Sequence, residues 1–489
     1  MNKITSIITL TTGILLFTAC QDWLEEKPKA IAAETFYNTV AEADAAVMAP
    51  ISRLRETGGF GRDIHSLMEC FSDYQYGRGS WEDGSKYAGL NPTNRGRTDG
   101  IWTTFYRAIR DCNIPISRLS GATGLSDTQK SSYIGELKFL RALSYYNLVQ
   151  FWNDIPLRTE ENMSEWDLGK SSAEEVHNLI KTDLEYAIAN APDVPRLIGT
   201  PGKNAAKCLL AEFHAYIGNY SETERLTEEV INSGTYSLVT VTTSRDFAKI
   251  FGPDVINTTE EIFYFKSSRT NNMGWEFPMM CAHPGATIDG KKMHGGGGWY
   301  GLYTTTSNKL ISEWDVKDLR KEYNLLHYDF GLGDNTYLST KFYDSEATGA
   351  GAANVSNPLI RYADILLLYA EAATQTAGSP TEEAMEKLNM VHRRAYGYSP
   401  TTVSPVDFKL EHYNTKEKFL NLLVQEQAYE NYNEGKRWQF LVRLGIAKEV
   451  IKKTKGIDIA DKHFLFPIPT TEFDYNKGLD PIKDQNPGY

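Results

Sequence analysis

Three carboxylates at helical spacing are the first residues in this chain that could do chemistry. Glu426, Glu430 and Glu434 fall at i, i+4 and i+8, on one face of a helix. Paired carboxylates cleave glycosides, one acting as acid and the other as nucleophile or base. Neighbouring carboxylates on one helix face repel each other, however. Pairing with Arg361, Arg393, Arg437 or Arg443 on other helices accounts for them better, because ion-pair networks gather charges in the same way. Two further patterns fail on context. Gly285-Ala-Thr-Ile-Asp-Gly290-Lys291-Lys292 matches a phosphate loop until its last position, where Lys292 replaces the magnesium-binding hydroxyl; no β-run precedes it and no helix follows. His294-Gly295-Gly-Gly297 looks like an esterase oxyanion loop, but no G-x-S-x-G supplies a nucleophile. There is no H-E-x-x-H, and none of the five cysteines forms a CxxC, so zinc and thioredoxin-like chemistry are unsupported.

What remains is a set of aromatics outside the helical patterns. Tyr74, Tyr76, Trp81 and Tyr87 lie in one such segment, and Trp275, Phe277, Trp299, Tyr300 and Tyr303 in another. Ring faces cover the C–H faces of a pyranose while Asn, Asp, Arg and His beside them fix hydroxyls, which is what a sugar site requires. For each ring taken singly, packing within its own loop is an equal alternative. Two loops of the same composition point to a joint surface, with Tyr74, Tyr76, Trp81, Trp275, Trp299 and Tyr300 as the candidate ligand-binding residues.

The elements that must position these rings are helical. Pro358 to Thr376 reads as one buried helix ending at Gly378, with Arg361, Asp364, Glu371 and Gln375 in a narrow polar stripe. A first helix is expected over 34–55. Asp99 caps another over 100–119, Ser126 or Asp127 opens one to Trp152, and Ser171-Ser172 with Glu174-Glu175 opens one to Ala191. Lys203 to Gly234 is a helix–turn–helix hairpin like a tetratricopeptide unit, with further copies around Ala142 and after the Pro358 helix, over 381–395. Arg62 to Arg97 is expected to be a long loop, and 236–357 irregular apart from a short strand at Glu261 to Lys266. Helices are expected again over 415–433 and 436–453.

Lys3 followed by the apolar run Ile4 to Phe17 fits a secretory signal, too short to span a membrane. Leu16-Phe-Thr-Ala-Cys20 then reads as a lipoprotein cleavage site with Cys20 as the lipid-bearing residue; ordinary cleavage near Ala19 is the alternative. A single anchor of this kind attaches the chain to a membrane without spanning it. A net charge of −12 disfavours nucleic acid and anionic membrane surfaces as partners. Cys112 and Cys208 fall in helical patterns and are expected as buried free thiols.

In that order, the lipobox at Cys20, Arg361-Tyr-Ala-Asp364-Ile-Leu-Leu-Leu-Tyr-Ala-Glu371, Glu426-Gln-Ala-Tyr-Glu430-Asn-Tyr-Asn-Glu434-Gly435-Lys-Arg437-Trp438, and the closing Phe466-Pro-Ile-Pro469 and Gln485-Asn-Pro-Gly-Tyr489 resemble the SusD/RagB family of outer-membrane nutrient-binding lipoproteins. Gln427 stands where the family usually has Arg. The resemblance implies a mainly α, SusD-like scaffold with tetratricopeptide-like helix pairs, long irregular loops and little β. The chain then divides into a signal peptide over 1–19, a helical region over 20–235, and a region over 236–489 that is loop-rich to 357, helical over 358–453 and an extended tail over 464–489. It further implies no catalysis, no cofactor and no nucleic acid, but capture of oligosaccharides at the cell surface and a SusC-like TonB-dependent transporter as partner. A peptide ligand within the same family, or a glycoside hydrolase, are the alternative readings. The ligand surface varies within the family, so the candidate aromatics rest on their own chemistry.

Overall fold

The computed structural model describes residues 36–90, 92–270 and 273–489; the lipobox and Cys20 lie outside them. Its helices form a stack that follows the chain. These are α1 (Val40–Leu54), α2 (Asp63–Cys70), α3 (Pro92–Leu119), α4 (Asp127–Trp152), α5 (Ala173–Asn190), α6 (Lys203–Tyr216), α7 (Tyr220–Asn232), α8 (Tyr362–Ala377), α9 (Glu382–Ala395), α10 (Lys416–Glu430), α11 (Arg437–Arg443) and α12 (Ala447–Lys455). From α3 to α9 each helix packs on the next, so α8 continues the α6–α7 hairpin although 129 residues of chain separate it from α7. The fold is mainly α, with paired helices of tetratricopeptide type.

The caps explain most of the helix starts. Thr39 and Glu42 form a capping box, which begins α1 at Val40 rather than at the expected residue 34. Ser126 with Gln129 and Ser172 with Glu175 do the same for α4 and α5. Helix α3 starts eight residues earlier than expected, on Pro92, whose fixed φ suits a first turn. Gly378 ends α8 at φ +73°, as expected of a left-handed stop.

The largest departure is at Pro358. Residues Asn357–Arg361 are not the first turn of α8 but a strand, β8, paired antiparallel with β2 (Glu261–Phe265) in the register Glu261↔Arg361 and Tyr264↔Pro358. Tertiary pairing overrides the local helical reading here, and Asp364 then caps α8 by accepting the Arg361 N–H at 3.0 Å. The expected 62–97 loop contains α2, all eight residues of which are buried. The 236–357 segment supplies most of a four-stranded sheet in the order β1-β5-β7-β6: Tyr76–Gly77, Leu302–Thr305, Thr336–Ser339 and Leu325–His327. The would-be phosphate loop is a hairpin, β3 (Thr287–Ile288) and β4 (Lys291–Lys292), turning on Asp289 and Gly290 at φ +51° and +77°. The tail is tied to α4: Trp152 Nε1 donates to the Pro467 carbonyl at 2.8 Å and Asn486 Nδ2 to the Trp152 carbonyl at 3.1 Å. Cys70, Cys112, Cys208 and Cys281 are buried free thiols.

Helix α10 ends at Glu430, so Glu434 lies in the turn beyond it rather than on the expected helix face, and the three carboxylates are engaged by cations from four segments. Glu430 Oε1 accepts from Arg361 Nη1 at 2.5 Å and from Arg394, while Arg320 lies 3.0 Å from Oε2. Glu434 pairs with Arg361 at 2.7 Å and Lys341 at 2.5 Å, and Glu426 with Arg320 at 2.7 Å and His392 at 3.0 Å. All three carboxylates are buried. Of the expected partners only Arg361 is here; Arg393, Arg437 and Arg443 instead hold Asp407, Asp73 and Glu371. Burial by itself would push the Glu426 carboxyl up, but Arg320 and His392 outweigh it and bring it down to about 2. With Glu260 on Arg361 and Arg394 and Asp318 on Arg320, this is a charge-balanced clasp between β8, α9, the end of α10 and the 236–357 segment.

Candidate functional site

The two aromatic segments meet in a strand ladder. β1 pairs with β5 so that Tyr76 lies opposite Tyr303 and Gly77 opposite Leu302, and the Arg78 N–H extends the ladder by donating to the Gly301 carbonyl at 2.8 Å. Gly77 is required there: a Cβ would lie 2.1 Å from the Trp81 carbonyl oxygen. Gly298 is equally constrained, 2.1 Å from the Ala282 carbonyl oxygen, which lets the 295–298 glycines lie flat against the neighbouring backbone. That close approach accounts for the glycine run that resembled an oxyanion loop.

Around this ladder the candidate rings separate into two groups. Tyr74 and Trp275 are core residues. Tyr74 packs on Tyr432 with ring centres 4.8 Å apart, and Trp275 packs on His65 at 5.3 Å while its Nε1 donates to the Phe60 carbonyl at 2.9 Å. Neither presents a ring face to solvent, so both are corrected from ligand surface to scaffold: a polar tip satisfied by the protein lets an aromatic from a loop-like stretch go inside. Tyr87 and Phe277 are buried as well. Trp81 is buried too, with the Arg97 guanidinium 3.5 Å from its ring centre, so it is corrected from ligand surface to scaffold as well.

The second group stays at the surface. Trp299 is 37 % exposed, and Arg62 lies 5.5 Å from its ring. Tyr300 is half-buried, adopts φ +37°, and carries the Arg78 guanidinium 4.0 Å over its ring. Tyr76 and Tyr303 are half-buried beside it, 5.7 Å apart.

Three further residues complete this face and were not singled out from sequence. His283 lies 4.5 Å from Tyr300 and 4.8 Å from Tyr328, and Phe330 lies 5.9 Å from Tyr300 and 5.6 Å from Tyr303. Tyr328 and Phe330 sit at the β6–β7 turn, where Asp329 Oδ1 accepts the Gly331 N–H at 2.8 Å. The alternation Tyr-Asp-Phe-Gly-Leu-Gly was the available signal. Partial burial and the nearby Arg78 both lower the His283 pKa, which favours a neutral ring. Arg78 makes no ion pair among the described residues. The face therefore combines partly exposed ring surfaces with phenol, imidazole and guanidinium edges, the composition that stacks on a sugar ring and binds its hydroxyls. Among the described residues no group of three or more His, Cys, Asp or Glu could hold a metal ion.

Comparison with known proteins places this architecture. Residues 315–489 match the family model described as the SusD family, and residues 22–214 match one described as "Starch-binding associating with outer membrane". The chain belongs to the SusD/RagB family. The SusD-like protein P2 of Formosa agariphila is 26% identical, over 100% of this chain and 99% of that protein. A SusD homolog from Bacteroides thetaiotaomicron superposes with a TM-score of 0.79 at 20% identity, covering 94% of this chain and 98% of that one. A laminarin binding SusD-like protein superposes at 0.74 and 23% identity, covering 93% and 100%. Both SusD/RagB models lie clear of the 278–303 loops, whereas the second covers β1 and Arg78.

Proposed function

We propose that the chain is a non-catalytic, cell-surface lipoprotein that binds oligosaccharides or polysaccharides and delivers them to a SusC-like TonB-dependent transporter in the outer membrane. The observation that carries the binding part is the convergence of Tyr76 and Arg78 from one segment with Trp299, Tyr300 and Tyr303 from another across the β1–β5 ladder. The rings lie in two orientations, 33° apart for Tyr76 and Tyr303 and 80° apart for Tyr303 and Phe330, which suits a chain of sugars that curves across the face. Relatives of the same fold include a laminarin binding protein and a surface glycan-binding protein from Bacteroides fluxus. The engagement of Glu426, Glu430 and Glu434 by buried cations supports a binding role over hydrolysis. Attachment through Cys20 supplies the membrane association, since among the described residues no helix is long and apolar enough to cross a membrane.

Calorimetry against a panel of neutral and acidic glycans tests the reading. At least one glycan should bind, and Trp299→Ala, Tyr300→Ala or Arg78→Ala should each weaken it by about 1–2 kcal/mol, the usual worth of one stacked ring or its cation. Binding untouched by all three variants would move the site elsewhere, and heat released only by peptides would replace the glycan with a peptide. Cys20→Ala should shift the protein from the membrane to the soluble fraction. Co-purification of a TonB-dependent barrel with the wild-type chain tests delivery.

A further inference from the structure

A cavity of about 210 Å³, open to solvent, lies between α2, α4, α6, α8, α10 and α11, away from the aromatic face. Its walls are largely apolar, with Leu209, Leu367 and Phe440 among them, but one of the charged groups lining it has no partner among the described residues. Four carboxylates line it, Glu212, Asp364, Glu371 and Glu434, with the cations Lys436 and Arg443, and Glu434 is held besides by Arg361 and Lys341 behind the wall. Both cations are engaged: Lys436 Nζ lies 2.6 Å from Asp364 and 3.2 Å from Glu434, and Arg443 Nη2 donates to Glu371 at 2.7 Å. The seventh titratable group, His65, is held neutral, its pKa pushed down to about 3 by burial and by Lys436. Glu212 alone has no hydrogen bond or ion pair on its carboxyl among the described residues. Burial and the adjacent Asp364 raise it to about 7, against the pull of Lys436 and Arg443.

The neutral groups beside it lean the same way. Asn147 and Gln150, on the α4 turns nearest Glu212, use their amide N–H groups on their own helix, to the Leu143 carbonyl at 2.8 Å and the Tyr146 carbonyl at 3.0 Å. Tyr146 Oη in turn reaches the Glu212 carbonyl at 3.4 Å, which places these turns of α4 and α6 side by side. What remains on this wall is a carboxylate and two amide oxygens, acceptors without donors. We propose that the cavity is a binding site for a primary ammonium group carried on a small apolar body, with Glu212 taking the charge and the Asn147 and Gln150 oxygens taking N–H donors. Pockets for drug-sized ligands run to about 300–1,000 Å³, so this one suits a single ring or a short chain. An occupant of this kind supplies the missing charge and the missing donors together, which water alone does not.

The test uses benzylammonium chloride against benzyl alcohol, its neutral near-isostere, on the whole mature protein. Calorimetry and thermal melting should show binding and stabilisation by the amine and neither by the alcohol at the same concentration. Because the carboxyl must be ionised to pair, amine affinity should rise about tenfold between pH 6 and pH 8 for a group titrating near 7. Glu212→Gln, which keeps shape and removes charge, should weaken the amine at least tenfold and flatten the pH profile. Leu368→Trp, which fills the cavity without changing its charge, should abolish binding. Equal binding of alcohol and amine, a flat pH profile in the wild-type protein, or undiminished amine binding by Glu212→Gln would each overturn the proposal. So would no amine binding at millimolar concentration.

Discussion

Replacing Glu430 by Gln is the sharpest perturbation of the clasp. One carboxylate there faces three guanidinium groups, Arg361 at 2.5 Å, Arg320 at 3.0 Å and Arg394, and none of the four side chains is more than 2 % exposed. The amide keeps one acceptor oxygen but turns an NH₂ towards donors, and the cations lose one full counter-charge. Breaking a buried ion pair from one side costs about 3–5 kcal/mol, because the surviving charge is stranded away from water. At about 2.1 cal/mol/K per residue, unfolding about 450 residues has an entropy near 1 kcal/mol/K, so the melting temperature should fall by about 3–5 °C. Urea unfolding should show a matching drop in midpoint with an unchanged slope. A loss under about 1 kcal/mol would refute the clasp as a charge-balanced unit. If the wild-type protein also released sugar from a glycan, and Glu430→Gln stopped it without lowering stability, the face would be catalytic instead.

Other consequences can be measured independently. Burial raises the Glu69 carboxyl to about 8 despite the Gly435 N–H that it accepts at 2.8 Å. Its folded form thus holds a proton that the unfolded chain releases near pH 4.5, so stability is full below that pH and is lost as pH rises towards 8. Glu69→Gln should remove this dependence and be more stable than wild type at pH 9 relative to pH 5, read from urea midpoints. Trp275→Ala should cost about 3–5 kcal/mol of stability through the cavity it leaves, whereas Trp299→Ala should leave the melting temperature within a degree and change only ligand affinity. Gly77→Ala must move the Trp81 carbonyl, so it should cost about 1–3 kcal/mol and weaken glycan binding with it, checked by melting and calorimetry on the same sample.

Local chemistry made much of this fold legible. Ser126 and Ser172 with their partners three residues on, the Gly218-Asn219 turn and Gly378 each act within a few residues, so their effects can be read from neighbours. Pro358 misled because β8 is defined by β2, about a hundred residues earlier. The clasp was read as pairing, with one partner correct: Arg394 rather than Arg393 faces Glu430, and one position on a helix turns a side chain by about 100°. Arg320 and Lys341 come from a segment with no periodicity to place them. Aromatic composition pointed to the two segments that meet, but which ring is buried depends on a register between residues 76 and 303. Tyr74 and Tyr76 differ by two positions, yet one is core and the other borders the surface.

The clasp also bears on when the molecule can become itself. Its charges come from Glu260, Arg320, Lys341, Arg361 and Arg394 before the carboxylates of 426–434 arrive to balance them. For a chain made N-terminus first, everything up to residue 394 supplies four of these cations against two buried acids, Glu260 and Asp318. Burying them early would strand charge, so the second half of the stack has no favourable way to close until Glu434 is present. Closure is therefore late and concerted, a checkpoint written in charge that leaves a truncated chain open.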